Sequence, residues 1–409
     1  MKLVLANRLL DRPGGEQKQL LKLARHLVSR GHEVTIVTSY LDRDACYSSE
    51  WSGLDVRAVH HGRRRDILPG TSFVSKLQAR VRAESLQASD AKAWSHLLPE
   101  EVDIINWHGA NPQTGYLSSR RSTASSARWV WMCNDLPGPV YELAAQSRVR
   151  GSWVRAETYA RWLTASPRAV EAVLRAQLPP GPLTVLDETN RWWWRHVFRR
   201  DAIVVPWGLD FDGLERAVRR RSPDEPLRLL AAGIMSPFRR FEDTIAAVRI
   251  ARARGIDARL TIVGAPADAE YVARLRREAA DLGDFVRIEG FLPSAEYETL
   301  RASSHLLVLT TRGQTWGQVT TECAAAGIPS IVNETATTLE LFQDGRSCYV
   351  ARFGDPTSIA DRIVTAASDE DTRIRIARAA QSVARMLSWP RYCETMEEVF
   401  VRTLAGVYD

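Results

Sequence analysis

The 409-residue sequence has no uninterrupted apolar run of about eighteen residues, the length that a helix needs to cross a bilayer, so no membrane-spanning helix is expected. Cysteine is scarce. Cys46, Cys133, Cys323, Cys348 and Cys393 are odd in number, widely scattered and without a Cys-x-x-Cys pair. That pattern argues against a disulfide framework and against a zinc site, and fits a reducing cytoplasm. There is also no internal repeat, no low-complexity tract and no G-x-G-x-x-G fingerprint. Met1–Asn7 reads as an apolar first strand, and no small-residue cleavage site follows it, so a signal peptide is not expected. Net charge is small too: 55 basic residues against 49 acidic ones leave +6. Over this length the excess is mild: it could favour phosphorylated ligands, an anionic membrane surface or nucleic acid, but a solvated arginine-rich surface is the simpler reading.

What is present is alternation. Lys2–Ala6 reads as a buried strand, Gly15–Arg30 as a helix with apolar spacing at Leu20, Leu21, Leu23, Leu27 and Val28, and Glu33–Thr38 as a second strand. Strand-like runs follow at Leu54–Val59, Val102–Trp107 and Arg128–Met132. A second series comprises Leu227–Ala232, Arg259–Val263, Phe285–Ile288, His305–Leu309 and Pro329–Val332, with helices in the gaps. Such alternation predicts α/β architecture with parallel sheets, and the length exceeds the roughly 250–300 residues at which single cores split. Residues 1–215 are therefore expected to form one doubly wound, Rossmann-like domain and residues 227–387 another. Residues 216–226, with Arg219-Arg220-Arg221 followed by Ser222-Pro223 and Pro226, read as an exposed linker. Ligands of such sheets bind outside the carboxyl ends of the strands, so the site is sought in the loops there.

Several of those loops carry suitable chemistry. Gly14-Gly15 precedes the first helix, where open backbone N–H groups at a positive helix end can receive an anion; a plain strand-to-helix turn explains the same residues. Arg239-Arg240 lies immediately before a helix beginning near Phe241, and guanidinium groups there suit a diphosphate. From Thr311 to Pro329 a strand ends, a glycine-containing loop turns and a helix starts near Gly317. Glu322 then falls in the second helical turn, where a carboxylate can accept two ribose hydroxyls. Arg191-Trp192-Trp193-Trp194-Arg195-His196 admits two readings: a surface for a membrane interface or for stacking on rings, or an amphipathic helix with its tryptophans packed inward.

Taken together these residues resemble the large retaining glycosyltransferase family with the GT-B fold, called family four. Its donor-site pattern, like E-x-F-G-x-x-x-x-E-A-x-A-x-G-x-P, is matched by Gln314-Thr315-Trp316-Gly317 and by Glu322-Cys323-Ala324-Ala325-Ala326-Gly327-Ile328-Pro329. Val205-Pro206-Trp207-Gly208-Leu209-Asp210 resembles the usual V-P-N-G-V-D, and Leu387-Ser388-Trp389 with Val399-Phe400 resembles the final helix, here 388–409, that crosses back onto the first domain. The resemblance implies two domains facing a cleft, and transfer of a sugar from a nucleotide-sugar donor, UDP- or GDP-linked, to an acceptor hydroxyl with retained configuration. Arg239, Arg240 and the amides near Trp316-Gly317 would hold the diphosphate, Glu322 the ribose and Gln314 the sugar, with Thr315 also in the donor site. His108, Asn134 and Asp135 would face the reacting centre, where His108 or Asp135 would orient or deprotonate the acceptor. Two positions depart from the family pattern. Gln314 replaces the usual glutamate, removing a charge and adding a donor, and Ile234 replaces an arginine, so Arg240 is expected to supply the missing cation. No cofactor and no metal are expected, since no Asp-x-Asp motif is positioned to hold one. The acceptor is a small molecule, a lipid-linked glycan or a polysaccharide, reached in the cytoplasm or at the membrane periphery. Rival readings are a sugar-nucleotide epimerase, a scaffold descended from the enzymes, and an enzyme with DNA as acceptor; nucleic acid is otherwise not an expected partner.

Overall fold

The computed structural model describes residues 1–64, 93–109, 119, 123–134, 179–197, 199–266, 268–311 and 316–408. The described residues fall into two units. The first comprises residues up to 134, residues 179–208 and those from 389 onward; the second comprises residues 209–388.

The first unit is built on β1 (Lys2–Leu10), α1 (Gly15–Ser29), β2 (Glu33–Leu41), β3 (Asp55–His61), β4 (Ile104–His108), β5 (Arg128–Cys133), β6 (Leu183–Val185), α2 (Glu188–Val197) and β7 (Ile203–Val204). The strands run in the order β3-β2-β1-β4-β5-β6-β7, and all pairs are parallel. β1 reads as a continuous apolar run because a central strand of a doubly wound sheet is covered on both faces; Leu3, Val4, Leu5 and Ala6 are all buried. α1 buries Leu20, Leu23 and Leu27. In α2 Trp193 and Trp194 are fully buried and Trp194 meets Trp131 edge to face at 5.0 Å, so the tryptophans pack inward. Trp192 is half-buried and stacks on His196 at 4.3 Å.

The second unit is built on β8 (Leu227–Ala232), α3 (Phe241–Ala253), β9 (Ala258–Val263), α4 (Ala269–Glu278), β10 (Val286–Ile288), α5 (Ser294–Ser303), β11 (Leu306–Leu309), α6 (Gln318–Ala325), β12 (Ser330–Asn333), β13 (Tyr349–Ala351), α7 (Pro356–Ser368) and α8 (Glu370–Arg385). Its strand order is β10-β9-β8-β11-β12-β13, again all parallel. This is the doubly wound arrangement in which the order reverses between the first and fourth strands, here β8 and β11. One face packs Leu229, Leu260 and Ile331 with Phe241, Ile245, Tyr271, Ile359 and Ile363. The other packs Leu230, Val263 and Leu307 with Cys323.

The stretch 216–226, expected to be an exposed linker, is mostly exposed but belongs to the second unit, because the change of unit falls earlier, between Gly208 and Leu209. Its arginines are anchored. Arg221 donates to the Ala367 carbonyl at 2.8 Å, Arg219 pairs with Glu225 at 2.6 Å and Arg220 with Asp371 at 2.6 Å. The last helix, α9 (Trp389–Leu404), belongs to the first unit and buries Tyr392, Met396 and Phe400. Trp389 presses on Gly208: any side chain there would begin 2.6 Å from the Trp389 Cα, so glycine in the Trp207-Gly208-Leu209 run is required by close approach. All five cysteines are buried, and none is in a disulfide. Among the described residues no helix is long and apolar enough to cross a membrane.

Candidate functional site

In the second unit the loop after β8 carries a single helical turn, Pro237–Arg239, that aims Arg239 at the end of β11. Its Nη1 donates to Thr311 Oγ1 at 3.1 Å, and its guanidinium lies 4.9 Å from the Phe238 ring centre. Thr311 is fixed in turn: its carbonyl accepts from Asn333 Nδ2 at 2.6 Å, and Asn333 is buried at the end of β12. A half-buried cation thus sits at the reversal of strand order, beside the switch point where open sheets bind ligands.

Arg240 is different. It adopts a left-handed conformation (φ 52°, ψ 41°) at the N-cap of α3, and its guanidinium is held on Asp243 by two bonds, Nε at 2.5 Å and Nη2 at 2.6 Å. The Asp243 hydrogen bond holds its pKa above the ordinary value. The cation expected to stand in for the one lost at Ile234 is therefore paired in this structure with a carboxylate three residues away. Ile234 itself is about half exposed.

Gly317 caps α6 in the left-handed region (φ 72°, ψ 47°), and its carbonyl accepts from the Thr320 amide at 2.8 Å. A side chain here would begin 2.6 Å from Thr338 Cγ2, so only glycine fits both the turn and the packing. The first amides of α6 lie at the positive end of the helix, where phosphate oxygens are favoured. Trp316 is buried beside them. Glu322 is largely buried and pairs with Arg301 across 3.6 Å, an arginine only 5% exposed. Gln314 and Thr315 lie outside the described residues.

In the first unit the corresponding switch point, between β1 and β4, gathers polar side chains. Asn7 Nδ2 donates to the His108 carbonyl at 3.2 Å and lies 3.4 Å from Glu16 Oε2; its Oδ1 accepts from the Leu9 amide. Glu16 occupies the first turn of α1, directly after Gly14 and Gly15, so a carboxylate of the chain already sits at the helix end where an external anion was expected. Gly14 is the N-cap in extended conformation, and its carbonyl accepts from Tyr47. His108 is 1% exposed, with Nε2 2.7 Å from Asn106 Oδ1 and Nδ1 3.4 Å from Gln19 Oε1. Burial pushes its pKa down to about 3. The enclosed imidazole packs the strand end against Asn106 and Gln19, and its lowered pKa makes it a weak base toward a substrate hydroxyl. Asn134 directly follows β5 and is buried, and among the described residues neither of its amide atoms has a hydrogen-bond partner. Asp135 lies outside the described residues.

Sequence reasoning missed Thr311, Asn333 and Glu16. Glu16 was visible as an acid after the glycine pair; the Thr311–Asn333 bond joins positions 22 residues apart and leaves no local signal.

Comparison with known proteins decides the family. Residues 13–187 match the family described as Glycosyltransferase Family 4, and residues 226–369 match Glycosyl transferases group 1. The chain is a glycosyltransferase of this family. It is 24% identical over 398 residues to a phosphatidyl-myo-inositol mannosyltransferase of Mycobacterium leprae, covering 93% of this chain and 90% of that protein. It is 27% identical over 204 residues to a D-inositol 3-phosphate glycosyltransferase of a Nocardioides species, covering 46% of this chain and 44% of that one. Among solved structures, the Anabaena protein HepE in complex with UDP superposes with a TM-score of 0.68 at 15% identity, covering 98% of this chain and 100% of that one. At that identity the likeness carries the fold, which is GT-B, with both parallel sheets accounted for. In this glycosyltransferase the cation Arg239 and the first turn of α6 follow the ends of the two central strands β8 and β11 of the second unit, whereas the first unit offers a buried polar cluster.

Proposed function

We propose that this glycosyltransferase takes a hexose from a UDP- or GDP-sugar and passes it to an acceptor hydroxyl with retained anomeric configuration. The observation that carries the donor half is Arg239 fixed on Thr311 beside the N-terminus of α6. A guanidinium and a helix end together neutralise a diphosphate leaving group. Glu322, on α6 itself and paired with Arg301, would accept from a ribose. The HepE complex with UDP supports a uridine nucleotide, and the mannosyltransferase relatives support a mannose donor.

In the reaction the bond from the sugar's anomeric carbon to the phosphate oxygen breaks while a bond to the acceptor oxygen forms on the same face. The acceptor proton passes to the departing phosphate oxygen, so no base with a pKa near neutrality is required of the protein. Because cationic groups stabilise the leaving group, transfer is expected without a divalent metal. Both relatives named above carry inositol in their names, so inositol-bearing compounds, free or lipid-linked, are the first acceptors to offer.

The test incubates the purified protein with UDP-glucose, UDP-N-acetylglucosamine or GDP-mannose and an inositol-bearing acceptor, and reads the product's anomeric coupling by NMR. A product with the donor's configuration supports the proposal. An inverted product refutes the retaining mechanism, and release of an epimerised donor without any acceptor moves the assignment to an epimerase.

A further inference from the structure

A second group of cations lies on the second unit's sheet at the end opposite Arg239. Arg228, Arg259 and Arg287 are each the second residue of β8, β9 and β10. Arg228 stands directly opposite Arg259, and Arg287 opposite Thr261. Side chains alternate along a strand, and the neighbouring Leu227, Leu229, Leu260 and Val286 are buried in the core on the other face. Three guanidinium groups therefore project from one face of three adjacent strands, whose spacing is about 4.8 Å. The side chain of Arg259 is 53% exposed, that of Arg228 41%, and Arg287 is exposed. Between them lies a cavity of ≈ 260 Å³, walled by Thr261, Asp284 and the Ser303-Ser304 end of α5.

Like charges directly opposite each other on neighbouring strands destabilise a sheet, and the local carboxylates do not offset them. Glu225 lies 3.0 Å from Arg228 but is shared with Arg219 at 2.6 Å. Asp257 lies 2.8 Å from Arg252 and only 3.7 Å from Arg259. Among the described residues no carboxylate reaches ion-pair distance of Arg287, although Asp284 lines the same cavity. Positive charge is left in excess around a concave, hydroxyl-lined space.

We propose that this cavity is a second anion site that binds a phosphoryl group of a soluble phosphorylated compound. Planar guanidinium forks match the tetrahedral oxygens of phosphate, and an anion between Arg228 and Arg259 relieves their repulsion. The site stands apart from the donor reading and does not depend on it.

The test titrates inorganic pyrophosphate into Arg239→Ala protein, so that the strand ends near Thr311 do not report. Binding is expected, weakened about tenfold by either Arg259→Ala or Arg287→Ala. Both residues are exposed, so the variants should fold, and pyrophosphate should raise the thermal midpoint of the Arg239→Ala protein but not that of the double replacement. No binding of pyrophosphate to the Arg239→Ala protein, or binding undiminished from that protein when Arg259→Ala or Arg287→Ala is added, overturns the proposal. So does binding only to phosphatidylcholine vesicles containing phosphatidic acid, since the lipid source then replaces the soluble one.

Discussion

Arg239 reaches from the loop after β8 to the end of β11, where its Nη1 donates to Thr311 Oγ1 at 3.1 Å. That bond bridges the two strands between which the sheet order reverses, and it fixes a guanidinium at the edge where a diphosphate would arrive. Replacing Arg239 by alanine should weaken UDP or GDP binding by about 1.5–3 kcal/mol, the worth of hydrogen bonds to charged groups, or about 10- to 100-fold. Isothermal titration checks this; Arg239→Lys, which keeps charge but loses the fork, should fall between the two.

Gly317 is constrained twice, by its left-handed backbone and by Thr338 Cγ2. Gly317→Ala is expected to cost about 1–3 kcal/mol of stability in denaturant unfolding. Donor affinity should fall with it, because the first turn of α6 would have to shift.

His108 gives a pH signature. Burial depresses its pKa from 6.5 to about 3, so between those values the unfolded chain binds a proton that the folded chain refuses. Stability is therefore complete above about pH 6.5 and is lost as pH falls toward 3. His108→Gln should flatten that slope in thermal melts between pH 4 and 7. It should also leave the apparent pKa values of the rate profile unchanged; a profile that loses an inflection near neutrality would restore His108 as a base.

Glu397 of α9 joins the last helix to α1 and the turn after it, lying 3.1 Å from His26 Nε2 and 2.9 Å from His32 Nε2. Burial alone would raise its carboxyl, but the hydrogen bonds from His32 and His26 outweigh that and hold it below the usual range. The sign follows: this contribution is present above the ordinary glutamate pKa and disappears as pH falls through the lowered folded value. Glu397→Gln should cost about 1 kcal/mol at neutral pH and soften the acid limb of the stability curve.

If leaving-group charge is met by Arg239 and the α6 amides, transfer should persist at full rate in EDTA. Activity lost on chelation and restored by magnesium or manganese would contradict this.

Much of this architecture was legible from residue patterns because buried parallel strands read as unbroken apolar runs. Leu3–Ala6 and Leu229–Ala232 stand out in this way, and β8 has the bounds expected. Leu183–Val185 and Tyr349–Ala351, three residues each, are too short for any period to show. At the site, the cation at Arg239 and the cap at Gly317 were readable from their place after strands. The fate of Arg240 was not, since it depends on a left-handed turn that sets its guanidinium on Asp243. Nor was the burial of His108: a strand-end histidine looks the same in sequence whether it faces solvent or, as here, Asn106 and Gln19.

The most direct test is the affinity of the purified protein for UDP, GDP and their sugar conjugates, measured beside Arg239→Ala. The account predicts that one nucleotide series binds the unaltered chain and is weakened at least about tenfold in the variant. Binding of neither series, or equal binding by both proteins, would contradict a donor site at Arg239.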